Sequence, residues 1–378
     1  MRRIHRCLIG GVWCGVVLAL SGCAHYAYRP SGRVPASPPA RVRQMYEAPR
    51  ELPVAEFKQV SLNSDYVVLR ARLCVPVVNS FYADGSRELK DLWVEFSLPI
   101  GCRNMPIILQ LPISGHQYIS ERFGRNEFVR KKSWYDRYKD QYATALILHG
   151  DPDKNKNKDK AKKVKKVGSE KEEYVQAKLL ERTDPEDIDD YLEQWISDCI
   201  HVLDFIQSRP EFNPDEIFLY GLSQGGINGM TLVAIDPRIR AAFLGLAGED
   251  VPYIITHSKE DSIVKKRREY VRSLRRFGMT MRRYEHELRE EIFWEPKTVA
   301  ACVDPQKVFL LLARNDDIVS YTKGMELKRH AGDPETEKIL SGHYTAIIYL
   351  FHIRARAIEF FHRKLMEIRS REDVTSSP

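Results

Sequence analysis

Ser223 lies in a G-x-S-x-G motif between the strand-like segment EIFLY and a helix-like segment. A serine at a sharp turn from a strand into a helix has a strained backbone. Its neighbours two residues away come very close, so glycine suits both Gly221 and Gly225. The N–H groups that begin the helix can stabilise an oxyanion. The pattern predicts a nucleophilic serine, and the alternative is a glycine-rich turn whose serine has no chemical role.

The candidate general base is a histidine, because a serine hydroxyl is a poor nucleophile at neutral pH. The chain has 11 histidines. His343 is preferred because it follows a short strand-like segment and Gly342, late in the chain. His149, which ends another strand-like segment, is the main competitor, and His116 follows a glycine in an earlier loop. The other histidines fall in helical or charged segments.

A carboxylate is needed to fix the tautomer of a catalytic histidine. Asp316 follows the apolar segment VFLLLA and precedes His343, so we predict that it plays this role. Asp317 is adjacent and stays a second choice. The predicted catalytic set is therefore Ser223, Asp316 and His343.

Strand-like and helix-like segments alternate along most of the chain. This alternation favours a mostly parallel sheet covered by helices on both faces. A helix is predicted over 185–207 and another over 345–368. The predicted strands are 66–77, 92–98, 106–111, 142–148, 216–220, 239–246, 308–313 and 336–340.

Two stretches of the chain resemble the α/β-hydrolase fold in its dienelactone-hydrolase and prolyl-oligopeptidase-like branch. They are DYLEQWISDCIHVLDFIQSRPEFNPDEIFLYGLSQGG and SGHYTAI, and the resemblance covers roughly residues 90–368. It implies a mostly parallel sheet of about eight strands with a helical cap insertion. It also implies the order Ser, Asp, His along the chain, an acyl-enzyme mechanism and no cofactor.

The resemblance also implies an oxyanion hole. One donor would be the backbone N–H of Gln224. The second would come from the loop after 106–111, at Ile113 or Ser114. There the sequence departs from the family, because Pro112-Ile113 replaces the usual His-Gly. The second donor therefore stays open.

The N-terminus looks like a targeting signal. Basic residues precede the 13-residue apolar run LIGGVWCGVVLAL, which is too short for a permanent membrane-spanning helix. The run ends in L-S-G-C, which resembles a bacterial lipobox with an acylated Cys23. We therefore expect a signal peptide over 1–22, a proline-rich extended tether over 23–55 and a hydrolase domain over 56–378. An ordinary secretory signal is the alternative.

Two segments of the domain are expected to be insertions. Residues 151–184 are rich in lysine and poor in apolar residues, which predicts a solvated loop. Residues 250–304 are charged and helical in pattern, which predicts a helical cap. The chain is 43% apolar with a formal charge of +7, but much of the charge lies at the N-terminus and in the lysine-rich segment. No aromatic residue precedes Tyr174 in that segment to stack on bases, so nucleic acid is not an expected partner.

The cysteines left after export would be Cys74, Cys102, Cys199 and Cys302, which allow three pairings. The preferred pair is Cys74 with Cys102, because each ends one of two neighbouring strand-like segments. Cys199 lies on the apolar face of a helix and is expected to be a buried thiol. The sequence has no recognisable metal-ligand spacing, so no metal is expected.

These features predict a serine hydrolase of small or polymer-linked esters. We expect it to be held at a membrane by lipid on Cys23, at the periplasmic side of the outer membrane if the source is Gram-negative. A serine peptidase is the second choice among enzymes. The non-enzymatic alternative is a surface lipoprotein that binds an anionic partner.

Overall fold

The structure, a computed structural model, describes residues 33–62, 66–81, 87–113, 141–148 and 182–375. Several features predicted from the sequence lie outside these ranges, and the predictions about them stay predictions. They are the signal peptide with Cys23, the oxyanion candidate Ser114, the histidines His116 and His149, and the lysine-rich insert up to residue 181.

A nine-stranded sheet forms the centre of the molecule, with the order β1-β2-β3-β5-β4-β6-β7-β8-β9. The first three strands pair antiparallel, and β3 is also antiparallel to β5. From β5 to β9 every neighbouring pair is parallel. The strands are β1 Val54–Leu62, β2 Tyr66–Phe81, β3 Arg87–Pro99, β4 Met105–Gln110, β5 Ala143–Leu148, β6 Phe212–Leu222, β7 Ile239–Gly245, β8 Val308–Ala313 and β9 Glu335–Ile339.

Strand β1 was not predicted, so the sheet has nine strands rather than about eight. Most of its residues are exposed, because β1 lies at one edge of the sheet. A strand at an edge carries no continuous apolar run, and its sequence pattern is correspondingly weak. The eight predicted strands are all present, and several extend further than the sequence indicated.

The helices cover both faces of the sheet. In β4, Ile107 and Leu109 point into one apolar cluster and Ile108 points into the other, because successive side chains of a strand alternate between faces. Outside the cap, the helices are α1 Ala40–Glu47, α2 Pro185–Gln207, α3 Gln224–Ile235, α8 Tyr321–His330 and α9 Leu350–Thr375. Helices α2 and α3 pack in the first cluster and α9 packs in the second.

The cap predicted over 250–304 is helical, as expected. It lies between β7 and β8 and packs partly on α2. Its helices are α4 Val251–His257, α5 Asp261–Ser273, α6 Met281–Glu291 and α7 Pro296–Val299, with short 3-10 turns at Arg275–Phe277 and Ala300–Cys302.

Residues 33–55 do not form the free, extended tether that the prolines suggested. Helix α1 lies on the domain with Val42 only 1% exposed. Arg41 forms ion pairs with Asp189 and Glu193 of α2. Prolines flank this helix on both sides, at 35, 38 and 39 and at 49 and 53, and its single buried apolar side chain gives only a weak helical periodicity. In the described ranges, no helix is long and apolar enough to cross a bilayer.

The predicted disulfide between Cys74 and Cys102 is not formed, and both thiols are free. Strands β2 and β3 are antiparallel, with Cys74 opposite Asp91 and Tyr66 opposite Pro99. Cys102 lies three residues beyond Pro99, whereas Cys74 lies eight residues along β2 from Tyr66, so the two cysteines are far apart along the strands. Cys199 is free and fully buried in α2, as predicted.

Candidate active site

Ser223 sits at the turn between β6 and α3. Its backbone has φ 55° and ψ −121°, a left-handed conformation that costs free energy for a residue other than glycine. A Cβ atom on Gly221 would lie 2.2 Å from the carbonyl oxygen of Gly225. A Cβ atom on Gly225 would lie 3.0 Å from the carbonyl oxygen of Pro112. The motif glycines therefore let the turn close on itself and let the loop after β4 approach it.

The structure brings Ser223, His343 and Asp316 into one hydrogen-bonded chain. Ser223 Oγ lies 2.8 Å from His343 Nε2, and His343 Nδ1 lies 2.7 Å from Asp316 Oδ2. All three side chains are almost fully excluded from solvent. In this geometry Nδ1 carries a proton towards the carboxylate, which leaves Nε2 free to accept the serine proton.

The two adjacent aspartates have different surroundings. Asp316 is buried, and its Oδ1 accepts hydrogen bonds from the backbone N–H groups of Ile318 and Val319 at 3.0 and 2.9 Å. The Asp317 side chain is 54% exposed and pairs with Lys259 at 3.4 Å. Of the two aspartates, Asp316 is the one that hydrogen-bonds His343.

Two backbone hydrogen bonds hold the aspartate loop against the histidine loop. Both loops leave neighbouring parallel strands, β8 and β9, at the same edge of the sheet. The N–H of Arg314 donates to Ile339 O at 3.0 Å, and that of Asn315 donates to Ser341 O at 2.9 Å. These bonds continue the hydrogen-bond ladder of β8 and β9 beyond the strands, and they set the distance between Asp316 and His343.

The candidate oxyanion donors Gln224 and Ile113 lie in different surroundings. Gln224 is the first residue of α3, where a helix N–H has no partner within the helix. Its side chain donates to the hydroxyl of Tyr191 in α2 at 2.9 Å, which fixes the start of α3 to a neighbouring helix. Ile113 is half-buried against the apolar cluster on the α9 side, in the loop that contacts Gly225.

Cap residues 259 and 260 contact the neighbours of the acid and the base. The hydroxyl of Tyr344 donates to Glu260, and the Tyr344 ring meets the His343 ring edge-on at 5.6 Å. On the other side, the Lys259 backbone N–H donates to Asp317 O at 3.1 Å. These contacts could not be predicted from the sequence, because the charged helical pattern of the cap does not indicate which part of the core the cap touches.

A second ionisable cluster, also missed from the sequence, lies after β7. Asp250, in a left-handed conformation, begins α4 and pairs with Arg289 and Lys323. The neighbouring Glu295 is 5% exposed and accepts a hydrogen bond from the Val251 N–H at 2.7 Å. Burial, helped by the charge of Asp250, raises the pKa of Glu295 to about 7. This cluster joins the cap to the core.

The described residues contain no group of three or more His, Cys, Asp or Glu side chains that could hold a metal ion. The hydrogen-bonded serine, histidine and aspartate need no metal to transfer a proton.

The fold is that of the α/β-hydrolases, and solved structures share it. An acetyl xylan esterase from a Paenibacillus species is 16% identical, with a TM-score of 0.50 over 83% of this chain and 92% of that one. Acetyl xylan esterase 1 from a Thermoanaerobacterium species is 12% identical, with a TM-score of 0.50 over 85% and 97%. At these identities the likeness shows the fold alone. No model of a known protein family matches the chain, and no curated protein matches its sequence.

Proposed function

We propose that this protein is a serine hydrolase that cleaves carboxylic esters through an acyl-enzyme on Ser223. The observation that carries the proposal is the unbroken hydrogen-bonded chain from Asp316 through His343 to Ser223, with the serine on a strained turn at the start of a helix. A protein that only binds a ligand has no need for a buried acid, base and nucleophile in this order.

In the proposed reaction, His343 Nε2 accepts the proton of Ser223 Oγ as the oxygen attacks the ester carbonyl. The resulting imidazolium is stabilised by Asp316, which holds the Nδ1 proton. The oxyanion of the tetrahedral intermediate accepts a hydrogen bond from the backbone N–H of Gln224. His343 then gives its proton to the leaving alcohol. Water next donates a proton to His343 as it attacks the acyl-enzyme, and His343 returns that proton to Ser223 Oγ as the bond to the acyl group breaks and the carboxylic acid leaves.

We propose esters rather than peptides as substrates. Two of the solved structures that share the fold are named as acetyl xylan esterases, which supports an ester on a small or polymer-linked alcohol. In the described residues no feature favours a peptide over an ester. The acyl group is best found by experiment, with a series of nitrophenyl esters of increasing acyl length.

The experiment that tests the hydrolase assignment is labelling with a fluorophosphonate probe. We expect the probe to attach to Ser223, and peptide mass analysis identifies the site. Ser223→Ala serves as the control and is expected to lose the label. Labelling at another serine, or none in a folded protein that melts cooperatively, would contradict the proposal.

We also propose that the enzyme is held at a membrane through lipid on Cys23. The motif L-S-G-C after a short apolar run supports this, and Ala24 rather than aspartate after the cysteine favours the outer membrane if the source is Gram-negative. Several acyl chains on one N-terminus bind a bilayer firmly. Cys23→Ala is expected to release the protein from membranes or to block its processing, and unchanged fractionation and mass would contradict the proposal.

A further inference from the structure

The outer face of cap helix α5 carries a row of positive charges. Lys265, Arg268, Arg272 and Arg275 follow one another at intervals of three or four residues, so they share one face of the helix and of the turn after it. All four are exposed. The opposite face packs on the cap through residues such as Ile263, which is 4% exposed.

Neutralising partners for this row are missing from the described part of the chain. No carboxylate there forms an ion pair or hydrogen bond with Lys265, Arg268, Arg272 or Arg275, although ion pairs are frequent on the neighbouring helix α6. Glu269 lies within the row, but it too has no ion pair in the described residues. Like charges three and four residues apart lower the stability of a helix. The row therefore forms a concentrated positive surface, and the repulsion between its charges lowers the stability of the isolated helix.

An aromatic side chain stands at the end of this row. Phe277, in the 3-10 turn after α5, is 62% exposed, and the guanidinium of Arg276 lies 4.7 Å from its ring centre. An apolar ring beside arginines is the arrangement that suits a lipid headgroup region, where the ring enters the acyl boundary and the cations meet phosphates.

The other end of the row lies beside the candidate active site. Glu260, immediately before α5, accepts a hydrogen bond from Tyr344, the neighbour of His343. Leu340, Ile348 and Phe351, which flank this point in the sequence, are 70%, 77% and 62% exposed. Apolar side chains are thus exposed in the segment around Tyr344 as well as at Phe277, and a soluble polyanion would leave them in water.

We propose that this cationic cap face, made of Lys265, Arg268, Arg272, Arg275, Arg276 and Phe277, docks on an anionic phospholipid surface. The charges of the face are complementary to lipid phosphates, and Phe277 supplies the apolar contact. Docking would place the α5 end of the candidate site at the lipid surface. The inference does not depend on the chemistry at Ser223, and it is separate from the proposed lipid on Cys23.

The test uses the full chain with Cys23→Ser, so that acylation does not contribute. Binding is measured to phosphatidylcholine vesicles with and without phosphatidylglycerol, and the ratio of the two affinities isolates the response to charge. Any apolar binding by the N-terminal run contributes to both vesicle types. Each cation near an anionic surface strengthens binding about fivefold. The triple variant Arg268→Gln, Arg272→Gln, Arg275→Gln is expected to lower the ratio about 100-fold.

A matched variant with the same loss of charge is Arg43→Gln, Lys58→Gln, Arg103→Gln. These three cations are exposed on α1, on β1 and after β3, and none of them belongs to α5 or to the turn after it. We expect the ratio of affinities for the two vesicle types to be nearly unchanged in this variant. An equal fall in both variants would mean that only net charge matters, and would overturn the proposal. Equal binding to both vesicle types by the unmutated face would overturn it as well.

Phe277→Ser tests the apolar part of the same face. It is expected to weaken binding to the anionic vesicles about tenfold, with little change in salt dependence. Thermal melts check that every variant is folded. Binding to dextran sulfate without binding to anionic vesicles would replace the lipid surface with a soluble polyanion and so reject the proposal.

Discussion

Asp316 holds His343 from a fixed position. One carboxylate oxygen lies 2.7 Å from His343 Nδ1, and the other accepts the N–H groups of Ile318 and Val319. The aspartate therefore cannot rotate without breaking bonds to its own loop. This relationship sets the tautomer and the direction of the imidazole before any substrate arrives.

Removing the nucleophile or the base is expected to abolish most turnover. Ser223→Ala and His343→Ala are each expected to lower kcat by about three or more orders of magnitude on a nitrophenyl ester. The double variant is expected to lose little more, because the residues act as a unit. The measurement is steady-state hydrolysis with thermal melts as folding controls. Losses that multiply in the double variant would contradict a shared role.

The adjacent aspartates provide a matched pair. Asp316→Asn is expected to lower kcat by several orders of magnitude, because an amide favours the wrong tautomer of His343. Asp317→Asn is expected to change kcat little, since its side chain faces solvent and Lys259. Comparable kcat values for the two variants would reject Asp316 as the acid.

The contact between Tyr344 and the cap is expected to support the base. Tyr344→Phe removes the hydroxyl that donates to Glu260. We expect kcat to fall about threefold with a smaller change in KM, because the pair is partly exposed and therefore modest in strength. Glu260→Gln is expected to act non-additively with it in a double-mutant cycle. Tyr349→Phe is the control, since among the described residues that hydroxyl makes a single long hydrogen bond, of 3.5 Å, to Leu340 O. Equal effects in the two tyrosine variants would contradict the expectation.

Glu295 is expected to make stability depend on pH near neutrality. Burial raises its pKa to about 7, with Asp250 and Glu249 adding to the rise and Lys297 and the Val251 N–H opposing it. The folded state binds this proton more tightly than the unfolded state does. The contribution of neutral Glu295 is therefore full below pH about 4.5 and is lost as pH rises through about 7.

Glu295→Gln is thus expected to raise Tm relative to the unmutated protein at pH 8 and to have little effect at pH 4.5. The gain in unfolding free energy at pH 8 is expected to approach about 3 kcal/mol. The glutamine oxygen can still accept the Val251 N–H. Glu291→Gln, at an exposed position of the same cap, is the control. A difference in Tm that does not vary with pH would contradict the assignment.

Free thiols at Cys74 and Cys102 predict that reducing agents leave stability unchanged. A disulfide across these strands would contribute about 3 kcal/mol, and its reduction would lower Tm by several degrees. We expect identical melts with and without dithiothreitol, and four reactive thiols after denaturation of a chain that lacks residues 1–23. A fall in Tm on reduction would contradict the free state of Cys74 and Cys102.

The fold class and the three residues of the candidate site could be predicted from the sequence, because each depends on local pattern. Continuous apolar runs mark buried parallel strands, and the polar residues that follow them must emerge at one edge of the sheet. Ser223 and Asp316 each follow such a run, and His343 follows the short strand β9, which pairs parallel with β8. The glycines of the motif were readable for the same reason, since the close approach of Gly221 to Gly225 is made within five residues.

The tertiary structure alone decided what depends on residues distant in sequence. The choice of Asp316 over its neighbour rests on the direction in which each carboxylate points. The antiparallel register of β2 and β3 separates Cys74 from Cys102, and register is a property of the pair of strands. Other features depend on contacts between segments that are far apart in sequence. They are the packing of Val42 on the domain, the hydrogen bond between Glu260 and Tyr344, and the burial of Glu295. The periodicity of one segment does not indicate which other part of the chain that segment will contact.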